Sequence, residues 1–245
     1  MTESESALSA ATAPGPGLLA RIVGVFTSPK ATFEGIVPAP KVAGILAVVS
    51  LATGLSTGAF LMTPRGQQAW LDMQAQNSEK FSGQPLSEQQ AAAFEKIVPY
   101  VGYFTIAGSL PVVPLIMVIE AGILFAIFTF GSGGTATFKQ ILSVTAHSSV
   151  IGTLGLIFGV IIQFARGTIS MTGPANAGVL LPMLPENGWL AQFLGLVDLF
   201  RVWWVITLSI GLGVLYKRNS RNIALTLFAL YGVIIGCVAW YLSSR

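Results

Sequence analysis

The chain predicts an all-α integral membrane bundle of five transmembrane helices, with an N-terminal interfacial helix and an extracytoplasmic helical hairpin. Three observations carry this. Of 245 residues, 53% are hydrophobic and only 9% charged, where a soluble domain carries about 25% charged residues to keep its surface in water. Mean hydropathy is +0.73. The apolar residues gather in runs that can cross a hydrocarbon core of ~30 Å, which takes ~20 helical residues. The net charge of +3 is small and its basic residues are scattered, so no nucleic-acid footprint is present and the lipid bilayer is the expected partner. One cysteine, Cys237, and one histidine, His147, rule out a disulfide framework and a Cys or His metal cluster.

Residues 1–17, MTESESALSAATAPGPG, begin with acids and lack the apolar segment of a cleavable signal peptide. Their Ser, Ala, Pro and Gly content predicts a disordered tail. Residues 18–41 read as cytoplasmic interfacial helices. LLARIVGVF sets Leu18, Leu19, Ile22, Val23 and Phe26 on one helical stripe with Arg21 off it. That helix is too short to span and suits the membrane surface. Ser28-Pro29 stops it, and KATFEGI gives another short turn before VPAPK.

The five-span domain covers 42–242. The first span, 42–62, carries no charge. Residues 63–97 read as a two-helix hairpin outside the bilayer. Thr63-Pro64 is an N-cap followed by proline at the first helical position, and Ser87 with Gln90 makes a capping box. Residues 98–130 are apolar almost throughout; as one helix they would measure ~50 Å. Pro111 and Pro114 predict a single kinked span whose first part rises from the surface, because GSLPVVP leaves too little room for a turn. GSGGTAT, 131–137, is a flexible turn before the third span, 140–165. An irregular loop with Gly173, Pro174, Pro182 and Pro185 follows. The fourth span is 193–216 and the fifth 222–242.

Arg21, Lys30 and Lys41 precede the first span, and Lys217, Arg218 and Arg221 crowd the last connection. Four spans separate the clusters, so both lie on one side of the membrane, which the positive-inside rule makes the cytoplasm. Seven basic residues then fall inside and five outside. The expected setting is the plasma (inner) membrane of a bacterium, N-terminus cytoplasmic and C-terminus extracytoplasmic.

A charge at the bilayer centre costs at least ~2.5–3.5 kcal/mol, so Glu120, His147, Asp198 and Arg201 form the candidate intramembrane polar site. Asp198 and Arg201 stand three residues apart on one helix face and are expected to neutralise each other as a carboxylate–guanidinium pair. Trp203 and Trp204 would set that pair near the headgroup level; the alternative is that either charge faces a cavity or a ligand headgroup. Glu120 is either an internal anchor, hydrogen-bonded or paired with Arg201, or a functional carboxylate. His147, flanked by Thr145, Ser148 and Ser149, reads as a hydrogen-bonded packing residue or a switch. Gly54–Gly58, Gly155–Gly159 and Gly232–Gly236 are glycine pairs at the spacing that lets membrane helices approach closely, within the chain or between copies. No G-x-S-x-G, HExxH or Walker loop is present, so no enzyme activity, catalytic residue, cofactor or metal is expected.

Two stretches, RIVGVFTSPKATFEGI near the start and FLGLVDLFRVWWVITLSIGLGVLYKRNSRNIAL near the end, carry a family likeness. They combine a short apolar helix, a proline and an aromatic residue before the first span with an Asp-Leu-Phe, tryptophan and Gly-Leu segment that leads through a basic turn into the last span. In this the chain resembles the bacterial branch of the Yip1 domain family. The resemblance implies five membrane helices and a cytoplasmic N-terminus. Eukaryotic members are associated with vesicle traffic and lipidated Rab-type GTPases through longer hydrophilic N-terminal regions; residues 1–41 here are short and half low-complexity, so a GTPase partner is not expected. The expected function is that of a non-enzymatic protein organising the membrane, partner membrane proteins or its own copies. The alternative is a small transporter, channel or lipid-handling protein with Glu120, Asp198 and Arg201 along an intramembrane polar path.

Overall fold

The computed structural model describes residues 16–131, 133–170, 172–173, 175–181, 183–185 and 188–244; almost all of the expected disordered tail lies outside them. Two short helices come first, α1 (Leu18–Thr27) and α2 (Pro29–Ile36). Proline at the first position of α2 forces the break between them. Arg21 and Val25 are buried on α1 while Leu19 and Val23 face outward, 77% and 58% exposed. Arg21, expected off the apolar stripe, is instead buried, and two residues of the stripe face outward.

The α1–α2 hairpin packs against the spans. Leu18 and Ile22 pack among Ile45, Val49, Met117 and Ala146, and Phe26 meets Trp203 edge-on at 5.7 Å. Phe33 and Ile36 are fully buried in the main core with Val144, Val205, Leu208 and Leu212. The apolar stripe seen in the sequence is real, but part of it serves helix packing.

Helix α3 (Ala43–Leu61) is the first span. Thr63 then caps α4 (Pro64–Ser82), accepting from the Gly66 amide. Gly83, at φ 69°, ends α4 in the left-handed region, where a Cβ would be strained. Ser87 and Gln90 form the expected capping box at the start of α5 (Glu88–Phe125). The second arm of the hairpin is not a separate helix: it runs without interruption into the span, through Pro99, Pro111 and Pro114. Its 38 residues measure ~57 Å at 1.5 Å per residue, so about half of α5 extends beyond the hydrocarbon. Trp70 against Phe94, edge-on at 5.5 Å, ties α4 to that extension.

After a π-helical turn at Ala126–Phe130, Thr137 and Gln140 make a second capping box at the head of α6 (Phe138–Arg166). Helix α7 (Trp189–Leu196) is short, and the chain becomes extended at Val197 and Asp198 before α8 (Leu199–Tyr216). The fourth span therefore begins at α8 and not at residue 193, because Asp198 is a helix cap and α7 turns away from it. Lys217, at φ 52°, closes α8, and α9 (Ser220–Ser243) returns as the fifth span. Tyr231 on α9 donates to the Leu196 carbonyl at 2.6 Å, which fastens α7 to the last span.

Among the described residues, five helices are long and apolar enough to cross a membrane. On α5 the residues Phe104, Leu110, Leu115, Ile116, Ile119 and Ile123 are 48–68% exposed. An apolar face of this extent requires hydrocarbon as its solvent.

The three glycine pairs separate. At Gly54 an added Cβ would collide with Ser109, and at Gly58 with Ile106 and, at 2.8 Å, with the Gly102 carbonyl oxygen; α3 and α5 cross here at the distance only glycine permits. Gly155 lies against Phe200, a Cβ coming within 2.6 Å of the Phe200 Cβ, and Gly159 is buried. At Gly232 and Gly236 a Cβ would meet open space, so neither is a position where only glycine lets two helices of the chain approach. Glycine spacing alone does not say which helix face meets a neighbour.

Candidate functional site

Asp198 occupies the N-cap of α8. Its Oδ1 accepts from the amides of Phe200 at 2.9 Å and Arg201 at 3.3 Å. Oδ2 is buried without a hydrogen-bond partner among the described residues, packed against Gly173, where a Cβ would overlap it. The expected Asp198–Arg201 ion pair does not form. The carboxylate turns to unsatisfied amides at the positive end of the helix dipole, which lie closer than the guanidinium three residues on. The Arg201 guanidinium instead sits over the Trp204 indole, 5.7 Å from the ring centroid, a cation–π arrangement.

Glu120 on α5, Asp198 and Arg201 line one cavity of about 660 Å³. Its walls alternate in character. Thr53 and Thr57 on α3, and Ser149 and Thr153 on α6, offer polar faces; Met117 and Val160 are apolar. Ser170, Thr172 and Gly173 close the end beside the α6–α7 loop. Glu120 makes no hydrogen bond to another described residue, yet it lies within the electrostatic reach of Arg201. Of the alternatives open for Glu120, direct pairing with Arg201 is not found among the described residues; the two side chains face a shared space instead.

His147 stands apart from them. It is fully buried, with Nδ1 2.7 Å from the Ser143 carbonyl oxygen and Nε2 3.3 Å from Arg21 Nη1. The Nδ1 contact to a carbonyl assigns the proton to Nδ1 and leaves Nε2 to accept from Arg21. Arg21 Nη1 also approaches the Lys41 carbonyl at 3.4 Å. His147 therefore belongs to the docking of α1, not to the cavity.

The sequence reading missed Arg21 as a buried residue, and it missed the hydroxyls of the cavity wall. A signal for the second group was available. Thr53–Thr57 and Ser149–Thr153 are i, i+4 pairs inside apolar spans, and such a pair marks one helix face. Arg21 gave no such signal, because a lone arginine beside an apolar stripe looks the same whichever way the helix is docked.

Five membrane helices, an N-terminal helical hairpin packed against them, and an Asp-capped fourth span opening on a cavity of mixed polar and apolar lining define a multi-pass helical membrane protein. The Yip1 domain model matches residues 23–242, and the chain belongs to that family. It is similar to the membrane protein YknW of Bacillus subtilis (strain 168), at 27% identity over 212 residues and 85% of each chain. No solved structure matches.

Proposed function

We propose that this is a non-enzymatic protein of the bacterial plasma membrane that holds an amphipathic molecule in the cavity between α3, α5, α6 and α8. The observation that carries the reading is the presence of Glu120 and Arg201, contributed by different spans, on one cavity with no hydrogen-bonding or ion-pair partner among the described residues. Charges left unpaired in a low-dielectric region are expensive, and their usual use is a ligand or a path for one. The hydroxyl and apolar walls suit a molecule with a polar head and a hydrocarbon body. The positive-inside distribution favours a cytoplasmic N-terminus and places the Asp198 end of the cavity on the extracytoplasmic side.

The test is lipid co-purification. Wild type extracted in mild detergent should carry bound lipid in native mass spectra, and Arg201→Gln should lose it while keeping its helicity and monodisperse elution. Equal lipid retention by both proteins would remove the cavity from the reading.

Organisation of membrane-protein partners or of further copies of the chain draws on a different surface, the outward Leu19 and Val23 of the docked hairpin. Deleting residues 1–36 would test it poorly, since Phe33 and Ile36 belong to the core. Leu19→Asp with Val23→Asp leaves the core intact. Loss of partner capture or self-association by this variant, with lipid retention unchanged, would favour the organising role over lipid holding.

A further inference from the structure

The charges on the cavity constrain what can enter it. Asp198 is already committed, one oxygen to helix amides and the other sealed against Gly173. That leaves one cation and one anion. Arg201 is steadied by Trp204 on one face and is otherwise open, an exposed side chain at the mouth of α8. Glu120 lies deeper, on the wall it shares with Met117 and Thr53, and neither of its oxygens has a hydrogen-bond donor among the described residues. Both side chains line the same cavity, and no ion pair joins them among the described residues.

A purely anionic ligand would satisfy Arg201 and be repelled by Glu120; a purely cationic one would do the reverse. A molecule with an oxyanion and a primary ammonium a few bonds apart satisfies both. We infer that the cavity takes a zwitterionic aminophospholipid headgroup of the phosphatidylethanolamine type, phosphate on Arg201 and ammonium on Glu120. This rests on the lipid-holding reading above.

Hydrogen-bond chemistry sharpens the choice. The ammonium of ethanolamine carries three N–H donors for a carboxylate, whereas choline's quaternary nitrogen carries none, and glycerol headgroups carry no positive charge. The lipid form is favoured over a soluble zwitterion by the apolar part of the lining. Ile116, 57% exposed, continues the cavity wall onto the lipid-facing side of α5, so acyl chains can leave over Ile116 and Val113 while the headgroup stays inside.

The experiment is a native mass spectrometry titration of the delipidated full-length protein. The probes are phosphatidylethanolamine, phosphatidylcholine and phosphatidylglycerol with identical acyl chains, with soluble O-phosphoethanolamine as a competitor. Wild type should prefer phosphatidylethanolamine by about tenfold, the value of one charge-assisted hydrogen bond. Glu120→Gln should erase that preference, bringing phosphatidylethanolamine to the phosphatidylcholine level, and Glu120→Asp should retain part of it. Arg201→Gln should weaken all three phospholipids alike. Phosphatidylglycerol binding as tightly as phosphatidylethanolamine, still dependent on Arg201, would overturn the headgroup assignment and leave lipid holding standing. Binding indifferent to Arg201 would overturn both. Displacement of the lipid by equimolar O-phosphoethanolamine would show that a soluble zwitterion, not a lipid, is the ligand.

Discussion

Replacing Gly58 by alanine probes the crossing of α3 and α5, and Gly232→Ala on α9 serves as its internal control. At Gly58 the new methyl would stand 2.8 Å from the Gly102 carbonyl oxygen and closer still to the Ile106 side chain. The side chain can rotate, but the backbone carbonyl cannot move without separating the helices. Overpacking of this kind costs about 1–3 kcal/mol. Alanine also favours the helix by about 1 kcal/mol over glycine, so the net loss at Gly58 is about 0–2 kcal/mol. At Gly232 the methyl meets open space, and only the helix preference remains. The difference between the variants isolates the packing cost, about 1–3 kcal/mol. Reversible unfolding in bicelles, followed by steric trapping, reads that difference directly. Equal stabilities for Gly58→Ala and Gly232→Ala would refute the close crossing.

Three further outcomes follow from the geometry. Asp198→Ala should cost about 0.5–2 kcal/mol through loss of the α8 cap, and Arg201→Ala added to it should give no recovery in the same unfolding assay; recovery would restore the ion pair expected from the sequence. Arg21→Ala should leave the buried His147 without its Nε2 donor and loosen α1, at about 1–3 kcal/mol, seen as faster proteolysis within residues 18–41. Unchanged proteolysis would mean that apolar contacts alone hold the hairpin. Tyr231→Phe, which removes the 2.6 Å bond to the Leu196 carbonyl, should cost about 1 kcal/mol and speed hydrogen exchange in α7 relative to α9.

The spans were legible because hydrocarbon imposes a length and a polarity that few other constraints can imitate. Capping signals were equally readable. Thr63, Ser87 and the proline at 64 act locally, so their partners lie within three residues. Asp198 shows the limit of that logic. Its spacing to Arg201 and its spacing to the helix amides both suit a hydrogen bond, and only the backbone at Val197 decides between them, by ending α7 and making Asp198 a cap. Their cost in hydrocarbon groups Glu120 and Arg201 as one candidate polar path, but the cavity that they share depends on how α5 and α8 pack, which no local pattern encodes. His147 was grouped with them on polarity alone, and the docking of α1 claimed it through Arg21. The same long-range choice separates Gly58, where a methyl would collide with the facing helix, from Gly232, where it would meet open space.

Cross-linking across the cavity tests its geometry most directly. Cysteines placed at Glu120 and Arg201, in a Cys237→Ser background because Cys237 is itself exposed, should be joined within one chain by a short bifunctional thiol reagent in membranes. Ile119, the neighbouring residue, is 55% exposed on the lipid side, so Ile119→Cys paired with Arg201→Cys should stay unlinked. Efficient linking of the 119–201 pair, or none of the 120–201 pair, would contradict a cavity shared by Glu120 and Arg201.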